Sequence, residues 1–157
     1  YKDGTFRPDD YITRAELTKM SLNGAGIPPQ TDLPDSFTDL DEWQKSWVFT
    51  AQKLNIVQGY SAEKFDPNKP ITRAEALKIM LLSFGVKQAD IDAAGADTQL
   101  SFKDVTADAW YKDYVAYAYK NSILQGYPDN TFKPGYLISR AEAAKIIANL
   151  WQKFKGG

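Results

Sequence analysis

The sequence has no cysteine and no histidine. Without cysteine there is no disulfide and no thiolate nucleophile, and zinc or haem sites built from Cys and His are excluded. Without histidine the commonest general acid and base is gone, so histidine-dependent triads are excluded too. The missing cysteine does not fix the compartment, because many exported bacterial proteins have none. Neither sign of charge is in excess: 19 Lys and Arg stand against 20 Asp and Glu, for a net charge of −1. With no basic field and no dense Lys/Arg run, nucleic acid is not an expected partner. No apolar run approaches the ~20 residues of a membrane helix, so membrane insertion is not expected either. The first residues, YKDGTFRPDD, are not a signal peptide; either a signal has been removed or the chain is cut from a longer protein.

What is present is a chain of 157 residues, 43% hydrophobic and 25% charged, enough for one ordinary domain or a few small units sharing a core. Four Trp, nine Tyr and eight Phe exceed what such a core must have, which leaves aromatics for a recognition surface. The strongest feature is internal repetition. YKDGTFRPDDYITRAELTKM opens the chain, GYSAEKFDPNKPITRAEALKIM begins at Gly59, and GYPDNTFKPGYLISRAEAAKII begins at Gly126. Each runs from an aromatic through a turn-rich stretch to Phe-x-Pro, then Ile-(Thr/Ser)-Arg-Ala-Glu, then a helical apolar pattern. A second pattern precedes the last two copies, from Phe37 to Tyr60 and from Phe102 to Tyr127. Aligned on Gly-Tyr, it pairs Trp43 with Trp110, Trp47 with Tyr114, Val48 with Val115 and Ala51 with Ala118. One unit is therefore Phe-x-Asp, leading helix, Gly-Tyr loop, Phe-x-Pro, second helix. The chain holds two whole units and the second half of another, with linkers at 24–36 and 87–101.

The repeated motif has a direct local reading. Thr13, Thr72 and Ser139 suit helix N-caps, and Glu16, Glu75 and Glu142 complete capping boxes three residues later. Ile12, Ile71 and Ile138 precede the caps as hydrophobic staples. Leu77, Met80, Leu81 and Phe84 recur at helical spacing, as do Ala143, Ile146, Ile147, Leu150 and Trp151, and Gly85 closes the first of these two helices. The leading helices are predicted from Trp43 to Asn55 and from Trp110 to Asn121. The fold class is all-α in the main: five repeat helices, aromatic turn-rich loops with room for short β pairs, and a helical turn near Gln88–Ala94.

Arg14, Arg73 and Arg140 fall at the first helical position, where a cation faces the positive end of the helix dipole at a penalty of ~0.3–1 kcal/mol. Three such placements point to a compensating anion. It is either a ligand carboxylate, for which Arg offers bidentate bonds, or a protein carboxylate such as Asp39 or Asp104. Trp47 and Tyr114 read as core, while Trp43 and Trp110 read equally as core or as platforms for the apolar face of a sugar. Tyr60 and Tyr127 read as loop anchors. Capping accounts for the repeated glutamates without catalysis. The loops YKDGTF and YPDNTF lack the ligand spacing of an EF-hand, and there is no phosphate-binding Gly loop. No metal, no cofactor and no enzymatic activity is expected.

These motifs resemble the S-layer homology (SLH) family of bacterial surface proteins. The resemblance covers most of the chain and is closest where FKDV, GYPDNTFKP and ISRAEAAKI follow one another. It implies a partial SLH repeat at 1–26 and SLH repeats at 37–86 and 102–154, together one domain, arranged as a pseudo-threefold helical bundle. It also implies non-covalent anchoring at the cell surface, in cell wall or S-layer, through an anionic and sometimes pyruvylated secondary polysaccharide in inter-repeat grooves. By resemblance the ligand-binding residues are Arg14, Arg73, Arg140, Asp39, Asp104, Trp43, Trp110, Gly59 and Gly126. The first unit has no counterpart of the Asp, Trp or Gly, which leaves its groove incomplete and its boundary either natural or a cut. Three readings follow. The chain is a polysaccharide or peptidoglycan anchor; or it is an assembly module that binds protein or itself; or, least supported, it is a glycoside hydrolase, for which no unrepeated acidic motif is present.

Overall fold

The computed structural model describes residues 3–156; Tyr1, the aromatic that opens the first motif copy, lies outside them. Six helices follow in order: α1 (Arg14–Gly24), α2 (Glu42–Lys53), α3 (Arg73–Ser83), α4 (Gln88–Asp97), α5 (Lys112–Lys120) and α6 (Arg140–Phe154). Helices α1, α3 and α6 each start at a motif arginine, one residue after the expected Thr or Ser cap, and all three capping boxes form. Gly85, at φ +78°, lets α3 end as expected, because the left-handed conformation is open to a residue without Cβ.

The three motif copies meet in a ring. The Ile12 N–H donates to the Ile138 carbonyl at 3.1 Å, Ile138 to Ile71 at 3.1 Å, and Ile71 to Ile12 at 3.2 Å. All three side chains are fully buried. The residues read as staples are thus also the pins of a closed, threefold-like centre. The β pairs join units rather than forming inside one loop: single antiparallel bridges link Tyr11 to Ser139, Thr13 to Pro70 and Thr72 to Leu137.

The same cyclic order satisfies the helix starts, whose first N–H groups have no partner within the helix. Arg14 and Ala15 donate to the carbonyls of Lys69 and Pro67, Arg73 and Ala74 to Tyr136 and Pro134, and Arg140 and Ala141 to Asp10 and Pro8. Each Phe-x-Pro loop therefore caps the helix of the preceding unit, and the first unit's loop caps the last helix. The middle residue of every Phe-x-Pro is left-handed, with φ between +54° and +58° at Arg7, Asp66 and Lys133.

Two boundaries differ from the expected ones. Leading helix α5 starts at Lys112, and Trp110 stands in a turn ahead of it. The stretch Phe102 to Trp110 is two residues longer than Phe37 to Trp43, and successive tight turns (Ala109 N–H to Thr106, Lys112 N–H to Ala109) take up the excess. The expected helical turn at Gln88–Ala94 is a full helix, α4. It buries Ile91 and is tied to α5 by Lys112 Nζ donating to the Gly95 carbonyl at 2.6 Å and the Tyr114 hydroxyl donating to Gln88 Oε1 at 3.2 Å. No helix among the described residues is long and apolar enough to cross a membrane.

Candidate functional site: the clefts between units

Each motif arginine reaches across a unit boundary. Arg14 Nε donates to the Phe65 carbonyl at 3.0 Å and Nη2 to the Gln58 carbonyl at 2.6 Å. Arg73 Nε donates to the Phe132 carbonyl at 2.9 Å, and Arg140 Nε to that of Phe6 at 2.8 Å. The guanidinium of Arg14 lies 4.6 Å from the Tyr60 ring centre and 4.3 Å from that of Phe65. That of Arg73 lies 4.7 Å from Tyr127 and 5.2 Å from Phe132. Arg14 and Arg73 are each only 7% exposed.

The anion that compensates these arginines within the chain is the motif glutamate of the next unit. Arg73 Nη1 pairs with Glu142 Oε1 at 3.0 Å and Arg140 Nη1 with Glu16 Oε1 at 3.5 Å. Glu75 occupies the corresponding place beside Arg14 and acts on it electrostatically. This corrects the expectation that Asp39 or Asp104 is the partner. It also corrects the reading of the glutamates as caps alone: one carboxylate caps its own helix, meets the neighbouring arginine and accepts from the loop tyrosine. The tyrosine bonds are Tyr60 to Glu75 at 3.1 Å and Tyr127 to Glu142 at 2.5 Å.

Asp39 and Asp104 hold the loops instead. Asp39 accepts from the backbone N–H groups of Phe65 and Asp66, at 3.0 and 2.8 Å, and Asp104 from those of Phe132 and Lys133, at 2.8 and 2.7 Å. Fixing two adjacent N–H groups sets the left-handed residue and aims the Phe carbonyl at the arginine. Gly59 and Gly126 lie under the rings of Phe37 and Phe102, where a Cβ would run into ring carbon and loop carbonyl; Gly126 is also left-handed, at φ +73°. Gly126 lines the Arg73 cleft described below, and Asp39, Asp104 and Gly59 stand outside the linings of that cleft and of the Arg14 cleft.

The boundaries open into clefts of unequal make-up. One, of about 280 Å³, gathers Arg14, the 55–58 segment, Glu75, Lys78, Ile79 and Trp110. Trp110 is 56% exposed and stacks edge-on against Tyr111 and Tyr114. The second, of about 410 Å³, gathers Arg73, the 122–127 segment, Glu142, Lys145, Ile146 and Asn149, with no tryptophan. At the third boundary Arg140 and Glu16 are accompanied by Lys19, whose Nζ lies 5.4 Å from the centre of the Trp43 ring, itself 43% exposed. The lysine that follows each motif arginine by five residues, Lys19, Lys78 or Lys145, thus supplies a cation to every boundary. Sequence reasoning passed over it, although lysine stands five residues after all three arginines. Of the aromatics read as core, Tyr114 is buried and Trp47 only partly so.

Electrostatics tie these clefts to pH. Burial pulls Arg14 below its usual value, against the opposing pull of Tyr60, Glu75 and Asp66. Burial pushes the Glu142 carboxyl up, but the Ser139 N–H, the Tyr127 hydroxyl and Arg73 outweigh it and hold the group below its ordinary value. Glu75 is lowered in the same way by Thr72, Tyr60 and Arg14. A lowered carboxyl stabilises the fold above its unfolded value and loses that contribution as pH falls through the folded one. Thermal midpoints are therefore expected to drop below about pH 4, and Glu142→Gln should flatten that drop. At the other end, burial and then Glu142 push Tyr127 up to about 12. Its contribution is present below the usual tyrosine value near 10 and is lost towards 12.

Comparison with known proteins follows the same three segments. The S-layer homology domain pattern matches residues 1–18, 36–77 and 101–144. An exoglucanase, XynX, of Acetivibrio thermocellus is 32% identical over 96% of this chain, which corresponds to 14% of that protein. A cellulosome-anchoring protein of the same species is 31% identical over 94% of the chain and 33% of its own length. A 125 kDa surface-layer protein of Lysinibacillus sphaericus is 32% identical over 75% of the chain and 9% of its own length. The chain thus spans a third or less of each. What these proteins share with it is this one stretch and not their full length. The chain belongs to the S-layer homology family, an anchoring module of the bacterial cell surface.

Proposed function

We propose that the clefts between units bind an anionic cell-wall polysaccharide and so hold the protein to the wall. The observation that carries this reading is the Arg14 cleft, where a buried guanidinium, the Lys78 ammonium and the exposed Trp110 ring face one space. A cationic wall suits a carboxylate, such as an acidic sugar or a pyruvate ketal. An exposed indole suits the apolar face of a pyranose while its N–H reaches a hydroxyl. The arginine is already bonded to Phe65 and Gln58, so it acts as a fixed positive wall, and Lys78 and Trp110 are the adaptable contacts. Weak clefts repeated on one module gain avidity on a repeating polymer. The names of a cellulosome-anchoring relative and a surface-layer relative support the same role.

The test is binding to purified wall sacculi before and after mild acid removes the secondary polymer. Binding is expected to vanish on stripping. Binding that survives would place the ligand in peptidoglycan, and no binding to either preparation would reject the anchor. Trp110→Ala should weaken binding by about threefold to tenfold, corresponding to ~0.5–1.5 kcal/mol of aromatic contact. Its thermal midpoint should fall by no more than about 4 °C, because the ring is 56% exposed and loses only its edge contacts with Tyr111 and Tyr114. Unchanged binding would remove stacking from the mechanism.

A further inference from the structure

The Arg14 and Arg73 clefts carry the same charges, one arginine, one lysine and one glutamate, but arrange them differently. In the Arg14 cleft the guanidinium is held by backbone carbonyls, with Nη2 on Gln58 at 2.6 Å, and it has no ion pair among the described residues. Glu75 is turned to its own helix cap. Its Oε2 accepts from the Thr72 N–H at 3.0 Å and from the Thr72 hydroxyl at 2.8 Å, and its Oε1 from Tyr60. In the Arg73 cleft the glutamate comes to the arginine instead. Glu142 Oε1 takes Arg73 Nη1 at 3.0 Å together with the Tyr127 hydroxyl at 2.5 Å, while Oε2 stays on the Ser139 N–H at 2.9 Å.

A second difference lies on the same face of α6, seven residues after Glu142. Counted from the motif arginines, Asn149 stands where α3 has Leu82, which packs against the core. Asn149 Nδ2 donates to the Ile123 carbonyl at 2.9 Å. A carbonyl can only accept, so this bond fixes the amide with its nitrogen on the protein. Oδ1 remains as an acceptor on a side chain that lines the Arg73 cleft.

We infer that the two clefts read different residues of one polymer: the Arg14 cleft a sugar bearing a carboxylate, the Arg73 cleft a neutral sugar through its hydroxyls. This division rests on the reading of the clefts as polysaccharide sites. A carboxylate entering the Arg73 cleft meets a guanidinium that already has a carboxylate, and that carboxylate is held by three donors. Displacing it breaks the bonds from Arg73 and Tyr127, and settling beside it sets two like charges together. Sugar hydroxyls can donate, and both Glu142 and Asn149 Oδ1 accept. Lys145, exposed on α6, is left to donate to a hydroxyl or ring oxygen. The Arg14 cleft has the opposite balance, with a guanidinium free of any ion pair, the Lys78 ammonium, and Leu82 in place of the amide. Glu142 and Asn149 are thus the specificity-determining residues.

The test is a nuclear magnetic resonance titration of the whole chain with two probes. Methyl glucuronoside bears a carboxylate, and methyl glucoside has a hydroxymethyl group in its place. The Trp110 indole N–H reports on the Arg14 cleft and the Gly126 amide on the Arg73 cleft. Glucuronoside is expected to shift Trp110 at a concentration about tenfold or more below that which shifts Gly126, and glucoside to shift Gly126 first. Glu142→Gln keeps an acceptor for Tyr127 and removes the competing charge. It should tighten glucuronoside at Gly126 by about tenfold and leave the Trp110 titration where it was. Asn149→Leu should weaken glucoside at Gly126 by about threefold or more, the loss of one hydrogen bond. Glucuronoside that shifts both reporters at the same concentration, or that ignores Glu142→Gln, overturns the division and leaves the anionic reading of the Arg14 cleft standing. Glucuronoside that shifts neither reporter rejects that anionic reading and the division with it.

Discussion

Replacing Arg73 by alanine is expected to destabilise the fold by about 2–4 kcal/mol. The substitution leaves the Phe132 carbonyl without its Nε donor and Glu142 without its cation, and it opens space between the Tyr127 and Phe132 rings. Glu142 is partly exposed, which keeps the effect below that of a fully buried broken pair. Arg73→Lys should recover less than half of the loss, since an ammonium cannot present the planar fork that serves a carbonyl and a carboxylate at once. Urea unfolding reads this directly; a change under 1 kcal/mol would contradict the structural role. The consequence for function is practical. Arginine variants of this module will lose wall binding partly by loosening the boundary, so Lys78 and Trp110 are the cleaner probes of the cleft.

Phe132→Ala is expected to have a still larger effect, about 3–5 kcal/mol, because it empties a fully buried site. The ring packs against Phe102, with centres 6.3 Å apart, and lies beside Arg73. Phe65→Ala should cost about the same, for Phe65 is equally buried and packs 5.5 Å from Phe37. Phe6, the third member of the motif, is 46% exposed, and Phe6→Ala should cost under about 1 kcal/mol. Comparable losses at all three positions would mean that the first loop is packed as tightly as the others in solution. The contrast has a structural origin: Phe65 and Phe132 each have a leading-segment phenylalanine, Phe37 or Phe102, to pack on, and an aspartate that fixes their N–H groups.

The helices, their caps and the unit order were legible in the sequence because local chemistry sets them. Thr13, Thr72 and Ser139 cap where hydroxyl and Glu spacing requires, and the apolar positions follow the helical period. What the sequence hid was every interaction that crosses a unit boundary. The Arg–Glu pairs join residues far apart in the chain, so the nearest conspicuous carboxylates, Asp39 and Asp104, were natural but wrong partners. The loop-holding role of those aspartates depends on left-handed residues at Asp66 and Lys133, a conformation that aspartate adopts more readily than most residues but that lysine does not advertise. The lysines of the clefts were visible as a repeat but carried no motif name. The start of α5 was missed because two extra residues shift Trp110 out of the helix without changing its alignment.

The ring of three isoleucine hydrogen bonds sets a limit on how such a module can vary. An open stack of repeats can gain or lose one unit at its end, since each touches only its neighbours. Here the last unit donates to the middle one, the middle to the first, and the first to the last. A fourth motif copy would find no carbonyl left at the centre, and the loss of one copy would remove two of the three bonds. The repeat number is fixed by closure at three, so a longer anchor of this type must be assembled from whole rings rather than from single repeats.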